Sequence, residues 1–176
     1  MEKDRTTPDN NNASTSSADD VRFLAELSDE LCVRSGTLVD AASLARVAAV
    51  WPAARSTPKS LVDLLEETAA VLDLSLASYL RVALRRPRLF TFPAKKALAK
   101  VDELVVALQC TRAMAIDIML KEPALFYSAA APIAVNRART VDTLGLTEAQ
   151  YMKAAQKQPR ILTTSAEKLA QTITAA

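Results

Sequence analysis

Residues 144–162 read LGLTEAQYMKAAQKQPRIL, and two earlier stretches share their punctuation: LQCTRAMAIDIMLKEPALF at 108–126 and LDLSLASYLRVALRRPRLF at 72–90. Aligned on Pro87, Pro123 and Pro159, with Pro52 as a fourth member, they are separated by 35, 36 and 36 residues. Twelve residues before the prolines stand Asp40, Ser75, Thr111 and Thr147. All four are residue types whose side-chain oxygen caps a helix N-terminus. Thr147 with Gln150 also has the spacing of a capping box. One residue before the caps stand Val39, Leu74, Cys110 and Leu146, and two further back Thr37, Leu72, Leu108 and Leu144. Leu89–Phe90, Leu125–Phe126 and Ile161–Leu162 follow the last three prolines. One register holding caps, prolines and apolar pairs is the mark of an internal repeat.

Each unit reads as a helical hairpin. Leu76, Tyr79, Leu80, Ala83 and Leu84 fall at i, i+3, i+4, i+7 and i+8 and make one apolar stripe. Ile116, Met119 and Leu120, then Tyr151, Met152 and Ala155, continue it in the next two units. The proline ends this helix by disfavouring helical geometry in the residue before it. A second helix follows, with Pro58, Pro93 and Pro132 in its first turn, where a missing N–H costs nothing. Leu61, Leu64, Leu65 and Leu72 are its expected core in the first unit; Leu98, Val101, Leu104, Val105 and Leu108 in the second. Residues 21–33 read as the second helix of an incomplete leading unit. The register predicts helices from near Ser75, Thr111 and Thr147 to near Pro87, Pro123 and Pro159, with Leu89, Leu125 and Ile161 buried. A lone hairpin cannot bury its stripe, so neighbours must stack. The expectation is an all-α solenoid, right- or left-handed, of about four hairpin repeats and eight or nine helices. Its more polar last helix, from Ala166 onward, would serve as a terminal cap.

Composition agrees. Half of the 176 residues are apolar, only Gly36 and Gly145 are glycine, and aromatics make up 5%. β-branched alternation is missing, which argues against a sheet. Residues 1–20, rich in Thr, Asn, Ser and Asp, read as a disordered polar tail, leaving 21–176 as the helical-repeat domain. Glu2, Asp4, Asp9, Asp19 and Asp20 do not suit an Arg-rich organellar presequence, so no targeting segment is readable. The longest uncharged stretch, 123–136, is shorter than the ~20 apolar residues of a membrane span. With no histidine and no CxxC pair, no metal or cofactor site is expected around Cys32 and Cys110. Cys110 stands in the row of Leu74 and Leu146 and reads as a small buried hydrophobe.

The pattern LGLT…PRIL, with its partners LDLS…PRLF and LQCT…PALF, resembles the repeat of the mitochondrial transcription termination factor (mTERF) family. The tetratricopeptide and ankyrin signatures do not appear. The resemblance covers about residues 38–173. In the first unit Ala53, Ala54 and Arg55 replace the apolar pair. It implies a left-handed superhelix with a basic groove that binds double-stranded DNA or RNA. It also implies a role in organellar, for instance mitochondrial, transcription or RNA metabolism.

Charge is distributed in keeping with that. Residues 1–36 hold four basic and eight acidic side chains, net −4; from Arg81 onward there are fifteen basic and seven acidic, net +8. The densest cluster is Arg81, Arg85, Arg86, Arg88, Lys95, Lys96 and Lys100. Arg112, Lys121, Arg137 and Arg139 follow in the third unit, and Lys153, Lys157 and Arg160 in the fourth. Arg81/Arg85, Lys96/Lys100 and Lys153/Lys157 are i, i+4 pairs of like charge, mildly destabilising unless an anion answers them. Cations repeated at matching offsets could track a phosphate backbone. Trp51 reads as a packing residue, and Phe90, Phe126, Tyr79 and Tyr151 fall on core positions. Nothing suggests catalysis: there is no histidine base, and the carboxylate pairs Glu66/Glu67 and Asp102/Glu103 sit on helices with ordinary solvated alternatives. The competing expectation is a protein-binding adaptor, or a structural subunit of a large ribonucleoprotein such as an organellar ribosome, on the strength of the modest net charge and few repeats.

Overall fold

A computed structural model of the chain describes residues 18–50 and 57–174, and these are all-helical, with no strand among them. Nine α-helices follow in order. They are α1 (Ala18–Ser35), α2 (Ala41–Val50), α3 (Pro58–Val71), α4 (Leu76–Arg85), α5 (Ala94–Leu108), α6 (Arg112–Lys121), α7 (Ala130–Leu144), α8 (Glu148–Lys157) and α9 (Ala166–Thr174). The odd-numbered helices pack in sequence, α1 on α3, α3 on α5, α5 on α7 and α7 on α9; among the shorter ones α2 packs on α4 and α6 on α8. α1 begins at Ala18, inside the stretch read as polar tail. Trp51, Pro52, Ala53, Ala54 and Arg55 lie outside the described residues, as does the tail up to residue 17.

The caps form where their side chains demand. Ser75, Thr111 and Thr147 accept from the backbone N–H groups of Ser78, Met114 and Gln150 at 3.2, 3.3 and 3.2 Å. Asp40 accepts from the Ser43 N–H at 2.8 Å. The Gln150 side chain closes the Thr147 box, and Thr57 with Ser60 forms a second box that the register did not include. Pro87, Pro123 and Pro159 each open a 3₁₀ turn: Pro87–Thr91, Pro123–Phe126 and Pro159–Leu162. Pro58 is the first residue of α3 and Pro132 lies in the first turn of α7, but Pro93 is the N-cap of α5. Ahead of the short helices, Asp73, Gln109 and Gly145 take left-handed φ of 54°, 52° and 61°. Leu74, Cys110 and Leu146 then donate back to Ala69, Val105 and Val141 at 3.0, 3.2 and 3.0 Å, the six-to-one bond of a Schellman cap.

The core runs along the whole stack. Leu89, Phe90, Leu125, Phe126 and Leu162 are buried. Ile161 is only half-buried. Leu98 is exposed: Ala94, Ala97, Val101, Leu104 and Leu108 take the buried positions of α5, which turns Leu98 to the edge. Leu64, Leu76, Leu84, Val105 and Leu120 are half-buried flanks, and Cys110 lies half-buried against the core, where burial raises its thiol pKa. Side chains of the longer helices also satisfy the carbonyls that end the turns. Thr68 donates to the Phe92 carbonyl at 3.0 Å, Lys100 to Ser128 at 3.0 Å and Asn136 to Thr164 at 2.8 Å. The three acceptors stand 36 residues apart, so different donors serve one recurring need.

Candidate nucleic-acid interface

The basic residues singled out by sequence divide into two groups. Lys100 pairs with Glu103 besides binding the Ser128 carbonyl. Arg112 reaches Asp102 at 3.3 Å and the Val71 carbonyl, at the C-terminus of α3, at 2.7 Å. Arg137 contacts Glu148 at 3.3 Å and the Leu108 carbonyl, at the C-terminus of α5, at 3.3 Å. The last carbonyls of a helix lack intrahelical donors and carry negative dipole charge, so guanidinium groups settle there. These three cations are tied into the scaffold. Lys121 is similarly held, by Asp117 at 2.7 Å and the Gln156 carbonyl at 2.9 Å. Arg139 and Arg160 form looser, outward-facing pairs with Glu167 at 3.6 Å and Glu122 at 3.7 Å.

Arg81, Arg85, Arg86, Arg88, Lys95, Lys96, Lys153 and Lys157 are exposed and have no carboxylate within 4.0 Å among the described residues. Their bonds are weak and local: Arg81 donates to the Ser78 hydroxyl at 3.3 Å, and the Arg85 Nε to the Arg81 carbonyl at 3.4 Å. Arg81 and Arg85 stand one turn apart on α4, as Lys153 and Lys157 do on α8. Arg46 on α2, missed by the charge count because it stands alone, falls in the register of Arg81 and Lys153 and is exposed. Asp117 interrupts that row on α6. Lys95 and Lys96 occupy the first turn of α5, where a helix dipole favours anions and gives cations no support.

Three of these arginines share a cleft. Arg85, Arg86, Pro87 and Arg88 line a space of about 410 Å³ together with Pro123, Ala124, Tyr127 and Val50. Its lining comes from the proline-opened turns Pro87–Thr91 and Pro123–Phe126 and the residues beside them. Tyr127 is 50% exposed. Phe92 holds its ring edge-to-face, centroids 5.2 Å apart at 83°, and Phe92 is itself set against Phe126 at 5.4 Å and 80°. Partial burial raises the Tyr127 phenol pKa, opposed by the nearby Arg88 charge. Sequence reasoning missed Tyr127; its signal is that tyrosine stands where the neighbouring units have Thr91 and Thr163.

The arrangement suits anion binding with an apolar, aromatic contact beside it. Among the described residues no group of three metal-ligating side chains occurs, and no helix is long and apolar enough to cross a membrane. On another face, a groove of about 610 Å³ runs between α5 and α7, lined by Ala99, Val106, Ala107, Ala130 and Ala134 with Asp102 and Glu103 at its rim. No family model matches the chain, and no curated protein or solved structure matches it.

Proposed function

We propose that this protein is a nucleic-acid-binding helical-repeat protein: a left-handed α-solenoid of about four hairpins that holds duplex DNA or structured RNA through phosphate contacts. Its place is in organellar transcription or RNA metabolism, as the mTERF-like motif implies, and it is not an enzyme. One observation carries the binding: eight exposed cations on α4, the turn after it, the start of α5 and α8 lack an acidic partner among the described residues, while most other basic side chains past Arg81 have one; Arg46, Lys59 and Lys168 also lack one but stand singly. Unanswered like charges on a helix face are mildly unfavourable in the free protein and become favourable against a polyanion.

The test is a salt titration of binding to labelled duplex DNA and to hairpin RNA. Affinity should fall steeply with salt, and Arg85→Glu with Lys96→Glu should lower the DNA slope by about two units, roughly one per lost contact. The loss should be alike for unrelated sequences, since phosphate contacts do not read bases. Lys59→Glu with Lys168→Glu, the same charge change on exposed helices outside the cluster, should leave the slope unchanged. Glu66 is no suitable control, because it accepts from Arg34 at 2.6 Å and links α1 to α3. If neither nucleic acid binds at low salt, the adaptor reading takes over, and the alanine-lined groove between α5 and α7 favours it.

A further inference from the structure

We infer that the cleft between the two 3₁₀ turns takes a single unpaired nucleotide, its phosphate on Arg85, Arg86 and Arg88 and its base against Tyr127, so that the protein prefers single strands to continuous duplex. The inference rests on the nucleic-acid reading above and names the strand form that this part of the interface selects.

Three properties of the cleft lead there. Its volume, about 410 Å³, lies at the low end of the ~300–1,000 Å³ of small-ligand pockets. That is room for one nucleotide and not for a paired helix. Its lining has two halves by chemistry: three arginines, and the rings and aliphatic carbon of Pro87, Pro123, Ala124, Tyr127 and Val50. A free inorganic anion would use the first half only, whereas a nucleotide uses both. Among the described residues no carboxylate lines it: Glu122, next to Pro123, has its carboxylate 3.7 Å from the Arg160 guanidinium and is little exposed.

Tyr127 decides between strand forms. A base in a duplex offers its edge to a protein, while an unpaired base offers a π-face that can stack. The edge-to-face contact with Phe92 fixes the ring, so stacking on it costs little ordering. Arginine beside an aromatic adds a second planar group for the base or its phosphate. Thr91 and Thr163 stand in the neighbouring units, so one such site is expected among the turns the structure describes.

The full chain is titrated against a labelled single strand of about 12 nucleotides, within the usual site size of single-strand binders, and against the same sequence as a blunt duplex. The single strand should bind about tenfold more tightly, within the range that one stacked base supplies. Tyr127→Ala should bring its affinity down to that of the duplex, and Tyr127→Phe should restore the preference. Arg86→Gln with Arg88→Gln, two exposed positions whose change leaves the core intact, should weaken the single strand about tenfold as well. Equal or tighter duplex binding by the wild-type chain overturns the inference even if Tyr127→Ala fails to fold, and leaves the proposed function standing. Retained single-strand preference in Tyr127→Ala or in the double arginine variant overturns it too. Binding of neither strand at low salt removes the proposed function along with it.

Discussion

The units that follow Ser75 and Thr111 have the same backbone plan and differ in how their cations are paired. Both run from a hydroxyl cap through a ten-residue helix, α4 or α6, into a proline-opened turn and a fifteen-residue helix, α5 or α7. In the α6–α7 unit Arg112, Lys121, Arg137 and Arg139 all meet a carboxylate, and three of them also meet a main-chain carbonyl. In the α4–α5 unit Arg81, Arg85, Arg86, Arg88, Lys95 and Lys96 meet none among the described residues. A count of basic residues rates the two units as similar in kind. Their partners separate them: one set of cations fastens hairpins together, and the other meets no carboxylate among the described residues.

If the two units are one scaffold, their buried pairs should respond alike. Leu89→Ala and Leu125→Ala remove fully buried side chains at matching positions, and each should cost about 2–5 kcal/mol in denaturant unfolding. Ile161→Ala, at the half-buried equivalent in the last unit, should cost clearly less. A large cost at Leu125 with a negligible one at Leu89 would break the equivalence of the two units.

What sequence made legible follows the range of the interactions. Caps at Asp40, Ser75, Thr111 and Thr147 and the proline-opened turns are set by residues within four positions of each other, and they stand where the 36-residue register put them. The left-handed position before the short helices was visible at Gly36 and Gly145, whereas Asp73 and Gln109 adopt it without glycine's freedom. Partners were not legible. Arg112 and the Val71 carbonyl are 41 residues apart, and Lys121 and the Gln156 carbonyl 35, so no local pattern marks them. Tyr127 was hidden differently, because it departs from its register instead of following it.

The charge difference itself should appear as a trade between stability and binding. Arg112→Ala removes the donor to the Val71 carbonyl and the partner of Asp102, and should cost about 1 kcal/mol with little effect on binding. Arg85→Ala breaks no ion pair and should change stability by less than about 0.5 kcal/mol. It should nevertheless reduce the salt slope for DNA by about one unit. Equal stability costs, or a greater binding loss from Arg112→Ala, would mean that internal partners do not separate scaffold cations from interface cations.

The smallest expected effect extends the comparison to the last unit, through a pair of buried tyrosines in one register. The Tyr79 hydroxyl donates to the Leu89 carbonyl at 3.2 Å. The matching acceptor for Tyr151 is the Ile161 carbonyl, which accepts instead from the Asn136 amide at 3.2 Å, and the Tyr151 hydroxyl has no partner among the described residues. Tyr79→Phe should therefore cost about 0.5–1.5 kcal/mol, while Tyr151→Phe should be neutral or slightly stabilising, since it deletes a buried group with nothing to bond. Alkaline pH separates them further. Burial raises both phenols, Tyr151 to about 12, with the Arg137 charge opposing the shift there. A raised phenol pKa means that the folded state holds the proton more tightly. The contribution is complete below the ordinary value near 10 and is lost as pH climbs through the folded-state value. Relative to wild type, then, Tyr151→Phe should start level at neutral pH and gain between pH 10 and 12. Tyr79→Phe should start behind and close the gap over the same rise. Melting curves of the three proteins at neutral pH and at pH 11 measure both trends. Equal losses for the two variants at neutral pH would show that Tyr151 has found another acceptor, and with it that the last hairpin closes as the second one does.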